Sequence, residues 1–373
     1  MEIAVKKNYD IPNDVMFTKL LPRFPAKSLL RFKSVSKEWN ATISSLAFAK
    51  TRLEIGHTFT QFLLLSINEQ AEVDESSIRS LSYDETGVIE LRNMNCVHLG
   101  PHEACPYLTG SVNGIVCLSI FNTDFFGIWN PLTQQYQQLF HCAEMKGNED
   151  WALKTDGFGY KSSTEDFSIF TVFIQLQSLA SPLFYLFSFN SGLWKTVNVE
   201  GGNVFADSIG RSSTAFYVNE RLYWPRRHRK TGFIIGLFCF DLNSEEMMKI
   251  FVTPTFRQFR YVEVNDIFEM GGNLSIACSK QEKTCHVWVL KVEADDSSPW
   301  VKVYDFNFTD LELYSFTNTG RYLARHQNQF KLLDVTQQGL DRSTQTGLGD
   351  AGDIRQSHLY VPSFITFRIK NHN

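Results

Sequence analysis

From Phe59 onward one unit recurs along the chain: an apolar strand runs into a polar turn and leaves it on an apolar or aromatic residue. The copies are Leu81–Gly87 (LSYDETG), Ile128–Thr133 (IWNPLT), Leu186–Trp194 (LFSFNSGLW), Phe238–Ser244 (FCFDLNS), Val292–Trp300 (VEADDSSPW) and Lys331–Thr336 (KLLDVT). Their spacing of roughly 40 to 60 residues is the period of one four-stranded propeller blade with its loops. Such a repeat constrains the fold strongly. Each blade leaves a face unburied until its neighbours stack on it, and only a closed ring protects the sheet edges. A C-terminal strand near His358–Phe367 is placed to complete the first blade. The aromatic content of 32 Phe, 13 Tyr and 7 Trp suits pleated, half-buried strand surfaces. A β-sandwich also has short strands and regular turns, but the blade-length period favours the propeller.

The first 55 residues have a different texture, with ten Lys and Arg against five Asp and Glu. Pro12, Asn13 and Asp14 suit a helix start, Pro25 opens a second helix, and Val35, Trp39 and Ile43 share one face of a third. Three helices this short hold no deep core alone, so docking to another surface is expected. The expected fold is therefore α+β by segregation. Residues 1–55 form a small three-helix module, and residues 56–373 form a mainly antiparallel β-propeller of about six blades.

A formal net charge of −4 argues against bulk nucleic-acid binding. The longest apolar run, Phe233–Phe240, is strand-sized, so no membrane span and no secretory leader are expected. Seven scattered cysteines do not read as a disulfide framework. These features point to the cytosol or nucleus, with free thiols.

The N-terminal segments Ile11–Val15 (IPNDV), Pro25–Lys33 (PAKSLLRFK), Val35–Trp39 (VSKEW) and Ile43 resemble the F-box of plant F-box proteins. Later segments resemble the F-box-associated domain of that family: Ser111–Leu118, Trp129–Thr133, Gly157–Tyr160, Tyr217–Asn219, Leu222–Trp224, Phe240–Leu242 and Val287–Val289. The resemblance implies a substrate receptor of an SCF-type ubiquitin ligase. Its F-box would dock on a Skp-type adaptor and, through it, a cullin scaffold, while the β domain holds a target protein. Position by position, Ile11, Pro12, Leu29, Leu30, Val35 and Trp39 would form or support the docking surface.

Two departures from the family pattern stand out. The run Leu20–Pro25 is one residue longer than usual, and Pro22, lacking an amide donor, is expected to end or kink the first helix. Glu220 and Arg221 stand where relatives carry a turn glycine, which predicts an altered hairpin.

Other chemistry is weaker. Cys96, His98, His102 and Cys105 are thiol and imidazole donors of the kind zinc favours, but at an uncommon spacing, so free thiols and surface imidazoles are expected. The basic loop Pro225–Lys230 contains Arg226, Arg227, Arg229 and Lys230; with Trp300 it is the candidate grip on an acidic target, or else a solvated loop tip. Trp129, Trp224 and Trp288 read as blade core. Gly157 and Gly159 read as turn glycines rather than a phosphate loop, and Glu165–Asp166 and Asp295–Asp296 as solvated turn carboxylates. No nucleophile elbow or His-Glu-x-x-His motif is present. A non-catalytic chain without cofactor is expected. A non-degradative F-box scaffold and a propeller-fold hydrolase are the competing readings.

Overall fold

The structure, a computed structural model, describes residues 11–369 apart from 56–60, 69–74, 84–88, 95–105, 121–122, 146–149, 178–179, 210–212, 229–233, 252–261, 281–283, 292–299, 308–311, 318–319, 327–328, 335–343 and 346–352. Six mainly antiparallel sheets form a closed propeller. Blade 1 comprises β1 (Gln61–Asn68), β2 (Glu75–Tyr83), β3 (Ile89–Met94) and β25 (Asp353–Tyr360), which pairs with β1. Blade 2 comprises β4 (Pro106–Val112), β5 (Ile115–Ile120), β6 (Phe125–Asn130) and β7 (Gln135–Phe140). Blade 3 comprises β8 (Trp151–Lys161), β9 (Asp166–Gln175), β10 (Leu183–Ser188) and β11 (Leu193–Thr196), with the short β12 (Ser213–Thr214) parallel to β8.

Blade 4 comprises β13 (Phe216–Val218), β14 (Arg221–Arg227), β15 (Ile234–Asp241) and β16 (Glu246–Phe251). Blade 5 holds β17 (Val262–Met270), β18 (Asn273–Lys280), β19 (Thr284–Leu290) and β20 (Trp300–Asn307). Blade 6 holds β21 (Glu312–Phe316), β22 (Arg321–His326), β23 (Gln329–Asp334) and β24 (Thr344–Gln345). The inner strands β25, β4, β8, β13, β17 and β21 touch in a closed circuit, and the C-terminal strand completes blade 1 by pairing with β1. That strand was expected near His358–Phe367; it ends at Tyr360, and the residues beyond leave the sheet.

The recurrent turn has one structural meaning. All six copies mark the hairpin from a blade's third strand to its fourth. Two of them show why an Asn or Asp stands there. Asn130 Oδ1 accepts from the amides of Leu132 (2.9 Å) and Thr133 (3.2 Å). Asp241 Oδ1 accepts from Asn243 (2.8 Å) and Ser244 (3.2 Å). A side chain that mimics a backbone turn stabilises each reversal locally.

Between blades, aromatic cores and a few polar stitches join neighbours. Trp224 packs on Phe170 and Phe205 at ring separations of 5.5 and 5.3 Å, and its indole donates to Thr155 Oγ1 at 2.8 Å. Trp129, Trp224 and Trp288 are buried as blade core, as expected. Tyr217 donates to the Tyr160 carbonyl at 2.9 Å, and Gln356 accepts from the Leu108 amide at 2.7 Å. A short helix, α5 (Gly202–Ser208), which the sequence pattern did not suggest, carries Phe205 into the core between blades 3 and 4.

Gly157 and Gly159 are not turn residues but lie inside β8. The reason is close approach. A methyl built on Gly159 would stand 2.5 Å from Leu242 Cδ1 and 3.0 Å from Tyr217 Cδ2. Gly159→Ala is therefore expected to destabilise the propeller by about 1–3 kcal/mol through overpacking, read as a lowered thermal midpoint. An unchanged midpoint would mean that blade 4 yields at no cost.

The hairpin at Glu220 keeps the two-residue form that Asn113 and Gly114 make in blade 2, with a glutamate in place of a glycine at its second position. Asn219 and Glu220 both adopt positive φ (48° and 61°) in the two-residue turn between β13 and β14. Glu220 is tied down by what its side chain accepts: the Ser162 amide at 3.1 Å, the Ser162 hydroxyl and Asn243 Nδ2 at 2.6 Å. Burial pushes its pKa up, but these donors outweigh it and hold the carboxyl below its ordinary value.

Candidate protein-docking surfaces

The N-terminal module is built from short pieces, each with a visible cause. Helix α1 (Asn13–Val15) begins after Pro12 and widens into a π-type turn over Met16–Leu20, closed by the Leu21 amide on the Met16 carbonyl. A turn with an i+5 bond takes up one residue more than an α-turn. A 3₁₀ turn over Leu21–Arg23 comes next, so Pro22 does break the first helix. The Lys19 carbonyl, left without an α-helical amide, accepts from Arg23 Nε at 3.0 Å instead.

Helix α2 (Ala26–Phe32) starts after Pro25. Ser36 caps α3 (Lys37–Ile43) by accepting from the Trp39 amide at 3.1 Å. Ser45 caps a fourth helix, α4 (Leu46–Glu54), from the Phe48 amide at 3.2 Å. Three helices were expected; α4 is the addition. It supplies Arg52, 1% exposed, whose guanidinium donates to the carbonyls of Pro22 (3.0 Å) and Phe24 (2.5 Å). Burial lowers the Arg52 pKa to about 10, so the group stays charged at neutral pH and closes the open carbonyl end of the 3₁₀ turn.

Among the described residues, twelve large apolar side chains are strongly exposed, and six fall between residues 11 and 46: Ile11, Val15, Phe24, Leu30, Val35 and Leu46. So dense an apolar exposure on so small a module marks a surface meant to be covered. Ile11, Pro12, Leu30 and Val35 from the sequence set stand on the outside. Leu29 does not. At 0% exposure it packs in the module's core, because adjacent helical residues point about 100° apart. Trp39 is half-buried, edge-on to Phe17 at 5.8 Å and Phe32 at 5.6 Å, so it braces the surface from behind. Val15, Phe24 and Leu46 join the exposed set without having been singled out by the motif.

The module sits on the propeller face that carries the first-to-second and third-to-fourth strand hairpins. Lys50 pairs with Glu165 in the β8–β9 hairpin, and Phe48 lies 6.3 Å from Phe364. Glu165 is thus an exposed turn carboxylate, as expected, that also serves the structure as an ion-pair partner across this junction. Asp166 is likewise structural, accepting from Ser188 Oγ at 2.6 Å and the Asn190 amide at 2.9 Å.

Arg226, Arg227 and His228 stand at the far end of β14, on the opposite face from the module. The basic cluster begins inside a strand rather than in a loop: Arg226 pairs with Gly236, and its guanidinium lies over the Phe238 ring at 5.5 Å. Arg227 and His228 are exposed. Trp300, by contrast, is 3% exposed in the core between blades 4 and 5 and is unavailable to a partner. Arg229, Lys230, Asp295, Asp296, Cys96, His98, His102 and Cys105 lie outside the described residues. Among the described residues no group of three or more His, Cys, Asp or Glu side chains is placed to hold a metal ion. Cys117, Cys142, Cys239, Cys278 and Cys285 are buried free thiols, and no described helix is long and apolar enough to cross a membrane.

Comparison with known proteins matches residues 106–365 to the family described as the F-box associated beta propeller domain. An F-box/kelch-repeat protein of Arabidopsis thaliana is 23% identical over 302 residues, covering 79% of each chain. A second Arabidopsis thaliana chain, provisionally named an F-box/kelch-repeat protein, is 30% identical over 367 residues, covering 94% of this chain and 83% of its own. A third, provisionally named an F-box protein, is 21% identical and spans 95% of this chain and 98% of its own.

Proposed function

Because this chain belongs to the family of plant F-box proteins with an F-box associated β-propeller domain, we propose that it is the substrate receptor of an SCF-type ubiquitin ligase. The helical module docks on a Skp-type adaptor and, through it, on the cullin scaffold. The propeller holds a target protein. The observation that carries this reading is the concentration of exposed apolar side chains on residues 11–46, in a module seated on one propeller face.

The mechanism is proximity. Holding a target near a ubiquitin carrier raises the effective concentration of its lysines, and the chain itself contributes no reacting group. Arg226 and Arg227 on the face opposite the module, with Arg229 and Lys230 after them in sequence, suit an acidic target segment. Work in the cytosol or nucleus fits buried, unpaired thiols.

The scaffold reading, in which docking does not lead to degradation, draws on the broken first helix at Pro22. A propeller hydrolase draws less support. The buried carboxylates Asp156, Asp166 and Asp241 each bond within a hairpin or to an adjoining blade.

The test is the affinity of the full chain for a purified Skp-type adaptor, beside a Leu30→Asp/Val35→Asp variant. Val35 is 60% exposed and Leu30 39%, so neither change disturbs the module's core. The affinity is expected to fall about 100-fold, two exposed apolar anchors at about 1.4 kcal/mol each. Equal affinity for both proteins sinks this docking surface, and no binding by the native chain sinks the receptor reading.

A further inference from the structure

We propose that residues 361–369 form a strap that fixes the orientation of the helical module on the propeller, so that loosening the strap frees the module while the six-bladed ring stays folded. Blade closure is complete at Tyr360. Residues 361–369 join no sheet, yet they are largely buried. They lie between two bodies. Phe364, Ile365, Phe367 and Ile369 belong to one apolar core with Leu29, Ile43 and Phe48 of the module and with Ile128, Phe158 and Phe189 of blades 2 and 3.

Blade 2 grips the strap through its backbone. Asn130, whose Oδ1 is already engaged in its own turn, donates from Nδ2 to the carbonyls of Ser363 (3.0 Å) and Ile365 (2.7 Å). Gln135 donates to the Phe367 carbonyl and accepts from the Phe367 amide at 3.2 Å. Gln137 repeats the arrangement on Ile369, at 3.3 Å in both directions. Gln135 and Gln137 are two residues apart on β7, and Phe367 and Ile369 two apart on the strap, so the clamp has the period of a strand. Primary amides replace the neighbouring strand's peptide groups. The β4–β5 hairpin closes in from the side: Gly114 has φ +80°, and a methyl there would stand 2.4 Å from Ser363 Cβ.

The module holds the strap's other side. Phe364 meets Phe48 edge-on at 6.3 Å, and Lys33 Nζ lies 5.3 Å from the same ring. The strap supplies both a backbone clamp and a core shared by the module and the propeller. Removing the strap's contacts is therefore expected to leave the module attached but unoriented. In the receptor reading, on which this consequence rests, the strap sets the span between adaptor and target.

The experiment uses the full chain with nitroxide amino acids at positions 38 and 200, both exposed, and reads the distance distribution between them. The native chain is expected to give one narrow distribution. Phe364→Ser/Phe367→Ser is expected to at least double its width, and so is Gln135→Leu/Gln137→Leu, which keeps volume and removes only the amide clamp. The ring's thermal transition, monitored by tryptophan fluorescence, is expected to persist in both. A distribution that stays narrow in both variants overturns the proposal. So does loss of the ring's transition in the glutamine pair, which would make the segment part of the propeller core. Because the readout needs no adaptor, failure of the receptor reading and failure of the strap are told apart.

Discussion

In an Arg52→Met variant the helical module unfolds while the propeller remains. Methionine keeps much of the stem's packing volume but removes the donor to the Pro22 and Phe24 carbonyls. Stranding the buried Pro22 carbonyl costs about 1–3 kcal/mol, and the part-buried Phe24 carbonyl adds less. A module of helices of three to nine residues has little stability with which to absorb that loss, since such helices are marginal without tertiary support. Amide exchange over residues 21–54 is expected to approach that of an open chain, and adaptor binding to disappear with it. Exchange in β14 and β15 is expected to stay slow. Native-like protection in the module of the variant would show that the 3₁₀ turn closes without the guanidinium.

The second large effect concerns Asp156, 3% exposed on inner strand β8. Its Oδ2 accepts from Thr109 Oγ1 at 3.2 Å. Burial dominates and raises its pKa to about 7, against the smaller opposing pull of hydrogen bonds from Ser119 and Thr109. Between the unfolded value near 3.8 and the folded value the native state binds more protons than the unfolded chain. Stability therefore falls as pH rises through that window, by up to about 4 kcal/mol once Asp156 is ionised. Asp156→Asn stays neutral at every pH. It is expected to flatten the slope between pH 4 and pH 7 in denaturant titrations and to be the more stable protein at pH 8, on the order of a few kcal/mol. An equal slope in both proteins would place the proton elsewhere.

The ring was legible in the sequence because its repeat is chemical as well as statistical: the Asn or Asp at the third-to-fourth strand hairpin caps a turn, visibly so at Asn130 and Asp241. Other features were hidden for physical reasons. Leu29 and Leu30 look equivalent in a motif, yet one helical step buries the first and exposes the second. Trp300 comes after a polar turn and reads as exposed, but it opens β20 and points into the core shared by blades 4 and 5. Gly157 and Gly159 suggest a turn, because only the neighbouring blade reveals that the space for a side chain is taken. Arg52 carries no local signal of its role, since the carbonyls it binds lie 28 and 30 residues away. Ile365–Ile369 has strand alternation, and no local signal tells a strand paired with peptide groups from one held by glutamine side chains.

The measurement that bears most directly on the receptor assignment is amide hydrogen exchange of the full chain with and without a saturating Skp-type adaptor. The account predicts new protection across Pro12–Leu46, where the strongly exposed apolar side chains concentrate, with the propeller strands, Arg226 and Arg227 included, unchanged. Protection centred on the blades, or none anywhere despite a folded module, would contradict it.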